Sequence, residues 1–331
     1  MFSLKSKISG IGAYLPETVV TTNELMHEVN SRKFGVPESF LERASGIVQR
    51  RFSDDQESIS YQAVQASMVA IRDAGIDPKD LDWVLFCGIH RDLYEPSQAH
   101  DIQSKLGAIN ASALDVSNAC IGLLNGLQIA SAFIKSGSAE NVLVCTGERP
   151  SALTKEIMRQ LRVSNDKQIF KKLLGAFTVG DAGGAFVVSK SNNQEGCIYD
   201  KFLTASEYKD LCYIKSSDKG VEFEMKMTEL SSVMIDLHKR LINQTYESTG
   251  WTPNTVDRIY CHQIGAKPHK KLSKVSKQPV EKLPKTYDMF GNLTSATFAV
   301  NMCLNPPKKG EKVLLLGAGS GATVSQSAFQ F

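Results

Sequence analysis

No run of 18 uninterrupted apolar residues occurs in this 331-residue sequence, which excludes an obvious transmembrane helix. A strong charge imbalance is missing too: 38 Lys and Arg against 35 Asp and Glu leave a net +3, and the dispersed basic residues argue against nucleic acid as the main partner. The seven cysteines (87, 120, 145, 197, 212, 261 and 303) are odd in number and form no C-x-x-C pair, so neither a disulfide framework nor a structural zinc site is expected. The stretch "MFSLKSKISGIGAYLPETVV" has no apolar signal core with a small-residue cleavage site, which makes the cytoplasm the default location. What remains, with 42% hydrophobic and 22% charged residues, is a globular chain able to bury a sizeable core.

Short apolar runs alternate with helical patterns. Strands are expected at "DWVLFCG" (82–88), "ALDVSN" (113–118), "NVLVCTGE" (141–148) and "GAFVVSK" (184–190), with a helix from Cys120 to about Lys135. The order then repeats. "AGIDPKDLDWVLFC" matches "TGWTPNTVDRIYCH" at an offset of 175, and "NVLVCTGE" matches "KVLLLGAG" at 171. Two turn-to-helix junctions, near Cys120 and Asn292, stand 172 apart. Two βαβαβ copies, residues 1–190 and 191–331, would give two mostly parallel sheets packed around shared central helices. Residues 149–177 have no counterpart and read as an inserted helical segment, a natural lid or tunnel wall.

Chemistry gathers at the strand C-termini. Cys120 begins a helix, where the dipole and unpaired N–H groups favour thiolate and can hold the oxygen of an attacked carbonyl. His262 follows the strand in "YCHQIG", and Asn292 sits at the strand-to-helix turn in "MFGNLTSAT". A neutral imidazole and a carboxamide both donate hydrogen bonds at no net charge, as a thioester carbonyl or developing enolate requires.

With "ISGIGAYLPETVVTTNEL", "SNAC", "HQIG", "GNLTSA" and "LLLGAGSGAT" in order along nearly the whole chain, the sequence resembles thiolase-fold condensing enzymes of the ketoacyl synthase III type. The resemblance implies an α/β thiolase fold in a five-layered αβαβα arrangement. It makes Cys120 the acyl-accepting nucleophile, with His262 and Asn292 completing the triad. The backbone of Cys120 and of the glycine loop Gly319, Ser320 and Gly321 would form a second oxyanion hole. Glu95 in "HRDLYEP", read with "VSNACIGLLNG" and "CHQIGAKPH", is similar to the base of the olefin-biosynthesis and α-pyrone-forming condensing enzymes. In those enzymes the glutamate reaches from the partner subunit of a homodimer to remove an α-proton. Such a base must be desolvated to act on a weakly acidic carbon.

The resemblance also implies a coenzyme A or carrier-protein site. In "ESFLERASGIVQRR", Phe40 stands where the family usually has Trp and Ala44 where it has Arg, with Arg43 adjacent. Lys267 opens a segment of seven lysines (267–285) that suits coenzyme A phosphates or an acidic acyl carrier protein, although a solvated face explains it as well. No metal or redox cofactor is implied. The expected reaction is a Claisen condensation to a β-keto product or α-pyrone. Decarboxylative condensation with a malonyl thioester, acyl transfer to a hydroxyl or amine, and a catalytically idle subunit are the competing readings.

Overall fold

The computed structural model describes residues 6–191, 195–217 and 220–331, so the first five residues of the N-terminal stretch lie outside the described residues. Strands β1 (Ser6–Tyr14), β4 (Trp83–Phe86), β5 (Ser112–Asp115), β6 (Asn141–Glu148) and β7 (Ala182–Lys190) form one sheet in the order β1-β7-β6-β4-β5. Strands β8 (Gly196–Thr204), β11 (Arg258–Cys261), β12 (Lys312–Gly319) and β13 (Thr323–Gln330) form a second in the order β11-β12-β13-β8. Two ribbons, β2 (Thr18–Thr21) with β3 (Gln49–Phe52) and β9 (Cys212–Ser217) with β10 (Gly220–Met225), lie apart from them.

Both sheets are mixed, where mostly parallel ones were expected. Only β4 with β5, β4 with β6, and β11 with β12 run parallel among the described pairs. The last strand of each half folds back on its predecessor, β13 through a tight turn at 320–322 and β7 through the 149–181 segment. That segment holds α6 (Ser151–Val163), α7 (Lys167–Leu173) and a 3-10 turn (Leu174–Thr178).

The remaining helices are α1 (Thr22–Glu28), α2 (Phe40–Ser45), α3 (Ile59–Ala74), α4 (Gln98–Leu106), α5 (Gly122–Ser136), α8 (Met227–Thr249), α9 (Ala266–Val275), α10 (Tyr287–Phe290) and α11 (Thr297–Leu304). Strand alternation decides the layering. Val142 and Val144 of β6 face inward with Val313 and Leu315 of β12, and α5 and α11 fill the space between them with Leu123, Leu127, Phe298 and Met302. Leu143 and Cys145 face the other way, against Ala63, Ala66 and Ala70 of α3, while Leu314 and Leu316 pack on Ile235 and Leu272 of α8 and α9. Five αβαβα layers result, and strands buried on both faces explain the continuous apolar runs. Residues Ala119–Ser136 are long and apolar enough to cross a membrane by composition, but here they form the central helix between the two sheets.

The repeat is visible in the backbone. Cys87 N–H donates to the Cys145 carbonyl (2.8 Å) as His262 N–H does to that of Leu316 (2.9 Å), at offsets of 175 and 171. Ala119 (φ 48°) and Thr294 (φ 49°) each open a 3-10 turn that leads into α5 or α11. This register pairs Cys120 with Ser295, not with Asn292 as the sequence offset of 172 suggested.

Candidate active site

Cys120 sits in the 3-10 turn Ala119–Ile121, between the end of β5 and the first turn of α5. The turn lies against the strand ends so tightly that a Cβ on Gly122 would come within 2.3 Å of the Cys87 carbonyl oxygen. Only glycine fits there. Ser295 binds the turn from the other half: its Oγ accepts from Leu123 N–H (3.0 Å) and donates to the Cys87 carbonyl (3.0 Å). From β12, Gly319 packs on Ile121, where a Cβ would lie 3.1 Å from Ile121 Cγ1.

The expected thiolate is not favoured in this resting state. The helix begins two residues after the cysteine, and its early donors are already used: Gly122 N–H bonds Ala119 and Leu123 N–H bonds Ser295. Burial, with smaller contributions from Cys212 and Glu148, pushes the Cys120 thiol well above its ordinary range.

His262 and Asn292 line the same cavity as Cys120, a largely apolar space of about 70 Å³. His262 is buried, and burial pushes its imidazole down to about 4, so it is neutral. Asn292 is held by backbone bonds from its N–H to Thr178 (2.8 Å) and from Gly180 N–H to its carbonyl (3.1 Å). Its Oδ1 accepts from Thr294 N–H (2.9 Å), which leaves the amide N–H donors for the cavity. Gly319 and Ser320 also line this space, whereas Gly321 (φ 83°) is in the tight turn beyond it. All seven cysteines are free, and Cys87, Cys145, Cys197 and Cys261 are buried.

Glu95 is not brought to this cavity by its own chain. It is exposed at the tip of the loop 91–97, beside Tyr94, which is 97% exposed. The desolvation expected of a base is thus absent within one chain. The base of the loop is firmly anchored. Asp115 accepts from Arg91 Nε (3.1 Å) and from the N–H groups of Gln98 (3.1 Å) and Ala99 (2.9 Å), while Gln98 Oε1 accepts from Asp92 N–H (2.8 Å). Sequence reasoning missed Glu148, the fully buried carboxylate at the end of β6, which accepts from Ile89 N–H (3.0 Å) and His90 Nδ1 (2.9 Å) where this loop starts.

A wider vestibule of about 460 Å³ shares Met225, Met227, Ser231, Ile264 and Pro268 with the inner cavity. Phe40, Ala44 and Lys267 line it, together with Lys171 and Lys271. Arg43 does not: it is exposed, and its Nε donates back to the Ser39 carbonyl (3.3 Å). The run "FKKLLGAF" divides, with Lys171, Leu174 and Gly175 on the vestibule and Phe170 and Phe177 buried in the core. The sequence reading also overlooked His238, which lines the inner cavity; its i+4 spacing from Met234 and i+8 from Leu230 on α8 could have placed it there.

A cysteine before a central helix, sharing an apolar cavity with a neutral imidazole and a carboxamide inside five αβαβα layers, defines a thiolase-fold condensing enzyme of the acyltransferase type. The chain belongs to the 3-oxoacyl-[acyl-carrier-protein (ACP)] synthase III family, matching its N-terminal part over residues 114–206 and its C-terminal part over 246–331. Beta-ketoacyl-[acyl-carrier-protein] synthase III of Aquifex aeolicus (strain VF5) is 28% identical over 322 residues, covering 96% of this chain and 97% of that protein. Synthase III 1 of Bacillus anthracis is 28% identical over 324 residues, with 96% of each covered. The crystal structure of the Aquifex aeolicus enzyme superposes with a TM-score of 0.86 at 27% identity, covering 98% of this chain and 100% of that one. Xanthomonas campestris OleA with bound lauric acid and lauroyl-CoA superposes at 0.91 with 22% identity over 99% of each chain, a likeness of fold.

Proposed function

We propose that the enzyme condenses two acyl thioesters without decarboxylation, working as a homodimer. The observation that carries this reading is the convergence of Cys120, from the first half of the chain, with His262 and Asn292, from the second, on one apolar cavity. Cys120 loses its proton as its sulfur attacks a fatty acyl thioester. The carbonyl collapses to an acyl-cysteine, and the carrier thiol leaves with a proton. The second acyl or β-ketoacyl thioester then sits with its carbonyl against His262 and Asn292. Glu95 of the neighbouring subunit takes its α-proton, the carbanion attacks the acyl-cysteine, and the Cys120 sulfur departs from a β-keto product, which can lactonise to a pyrone when the second substrate is itself β-keto. Exposure of Glu95 and Tyr94 at the tip of an anchored loop supports delivery across a dimer interface. The backbone of Cys120 and of the loop at Gly319 and Ser320 serves the acyl oxygen. The scheme uses no metal or redox cofactor.

The vestibule lysines Lys171, Lys267 and Lys271 suit the phosphates of coenzyme A, or an acidic acyl carrier protein. The lauroyl-CoA in the OleA structure supports the former and the names of the relatives the latter. Those names also favour a second reading, decarboxylative condensation with a malonyl thioester, in which Glu95 has no part.

Incubation with acyl-coenzyme A alone, malonyl thioester withheld, separates the two. Peptide mass analysis is expected to find the acyl group on Cys120. Glu95→Gln is expected to keep acylation and lose condensation; undiminished condensation in that variant returns the enzyme to the decarboxylative reading.

A further inference from the structure

The inner cavity contains a second imidazole that this chemistry does not use. His238 on α8 is 1% exposed and lines the space shared by Cys120 and His262, among Leu230, Met234 and Ile235. Its neighbours fix its tautomer. The His238 carbonyl can only accept, so the end of the Gln326 amide 3.0 Å from it is the NH2 group, which also faces His238 Nδ1 at 3.3 Å, while Gln326 Oε1 lies 2.6 Å from Thr245 Oγ1. Nδ1 is therefore the acceptor, and the ring proton is on Nε2. That Nε2 is buried with no hydrogen-bond partner of standard geometry, although the Gly317 carbonyl favours the charged ring. Burial pushes the imidazole down to about 4, so Nε2–H is a neutral donor at ordinary pH.

An unmade donor in an otherwise apolar cavity is costly, and a ligand oxygen that satisfies it gains accordingly. We propose that His238 Nε2–H recognises an acceptor oxygen, keto or hydroxyl, on the acyl chain loaded onto Cys120, so that oxygenated acyl thioesters are preferred over plain hydrocarbon chains. A site built to bond a substrate oxygen discriminates strongly against the analogue that lacks it, whereas an apolar pocket separates such pairs poorly. This rests on Cys120 being the acylated residue.

The test uses coenzyme A thioesters of one chain length, plain or carrying a keto or hydroxyl group at successive carbons, and follows the mass of the Cys120 peptide with time. The unmodified enzyme is expected to acylate from one oxygenated series with a kcat/KM roughly tenfold or more above the plain chain. His238→Leu is expected to collapse that ratio, and His238→Gln, which retains an N–H donor, to restore part of it. Equal rates for every chain in the unmodified enzyme overturn the proposal without recourse to a variant, as does a ratio that survives in His238→Leu. Acylation by none of the thioesters is a different failure, that of Cys120 as the acceptor.

Discussion

Acidification should unfold this protein through two imidazoles in particular. His262 and His238 are buried, and each is pushed from an ordinary value of 6.5 down to about 4. The unfolded chain therefore binds a proton at each site that the folded chain refuses between those values, and the stability present above pH 6.5 is lost as pH falls toward 4. At pH 5 the loss is about 2 kcal/mol per histidine relative to pH 8, rising to about 3 kcal/mol below pH 4. Asp200 opposes them: burial raises its carboxyl from 3.8 to about 6, so acidification stabilises it, by about 1 kcal/mol at pH 5. The assay is urea unfolding at pH 8, 6.5 and 5 for the unmodified chain and for His238→Leu and His262→Leu, because differences between chains cancel Asp200 and the other carboxylates. Each variant should lose about 2 kcal/mol less than the unmodified chain between pH 8 and pH 5. Parallel pH dependences would refute the reasoning, since they would mean that these rings are solvated or already charged in the folded state.

Ser295→Ala deprives Leu123 N–H of its acceptor and the Cys87 carbonyl of its donor, both buried; a cost of about 2–3 kcal/mol is expected as a lower urea midpoint at unchanged slope, together with slower acylation. A midpoint unchanged from the parent would show that the turn does not depend on this bridge. Alkylation of Cys120 by iodoacetamide should keep accelerating through pH 9 because burial disfavours its thiolate, with the modified peptide quantified by mass; a plateau reached at neutral pH would show that the helix start prevails after all.

Much of the architecture was legible because duplication leaves its mark in apolar words, and the offsets 175 and 171 correspond to real strand ends at Cys87 and His262 and at Cys145 and Leu316. The junction register was misread because Asn292 is the more conspicuous residue, whereas the equivalence lies in the left-handed backbone of Ala119 and Thr294, which non-glycine sequence does not announce. Strand direction was misjudged for a similar reason. Apolar runs specify burial on two faces but not whether the chain returns parallel, and β7 and β13 both return antiparallel. The state of the Cys120 thiol could not be read locally, because residues that share its cavity come from distant segments, Cys212, whose charge also raises it, and Met225 among them. His238 looked like one polar residue on a long amphipathic helix until the fold turned its face toward the cavity.

The bridge made by Ser295 links the timing of synthesis to reactivity. A nascent chain that has emerged only through α5 carries Cys120 but lacks the hydroxyl that fixes the first turn of its helix and the β12 glycine that closes over Ile121. The emerging sulfhydryl is therefore neither held in its turn nor yet enclosed by the later half, and both constraints arrive together when that half docks.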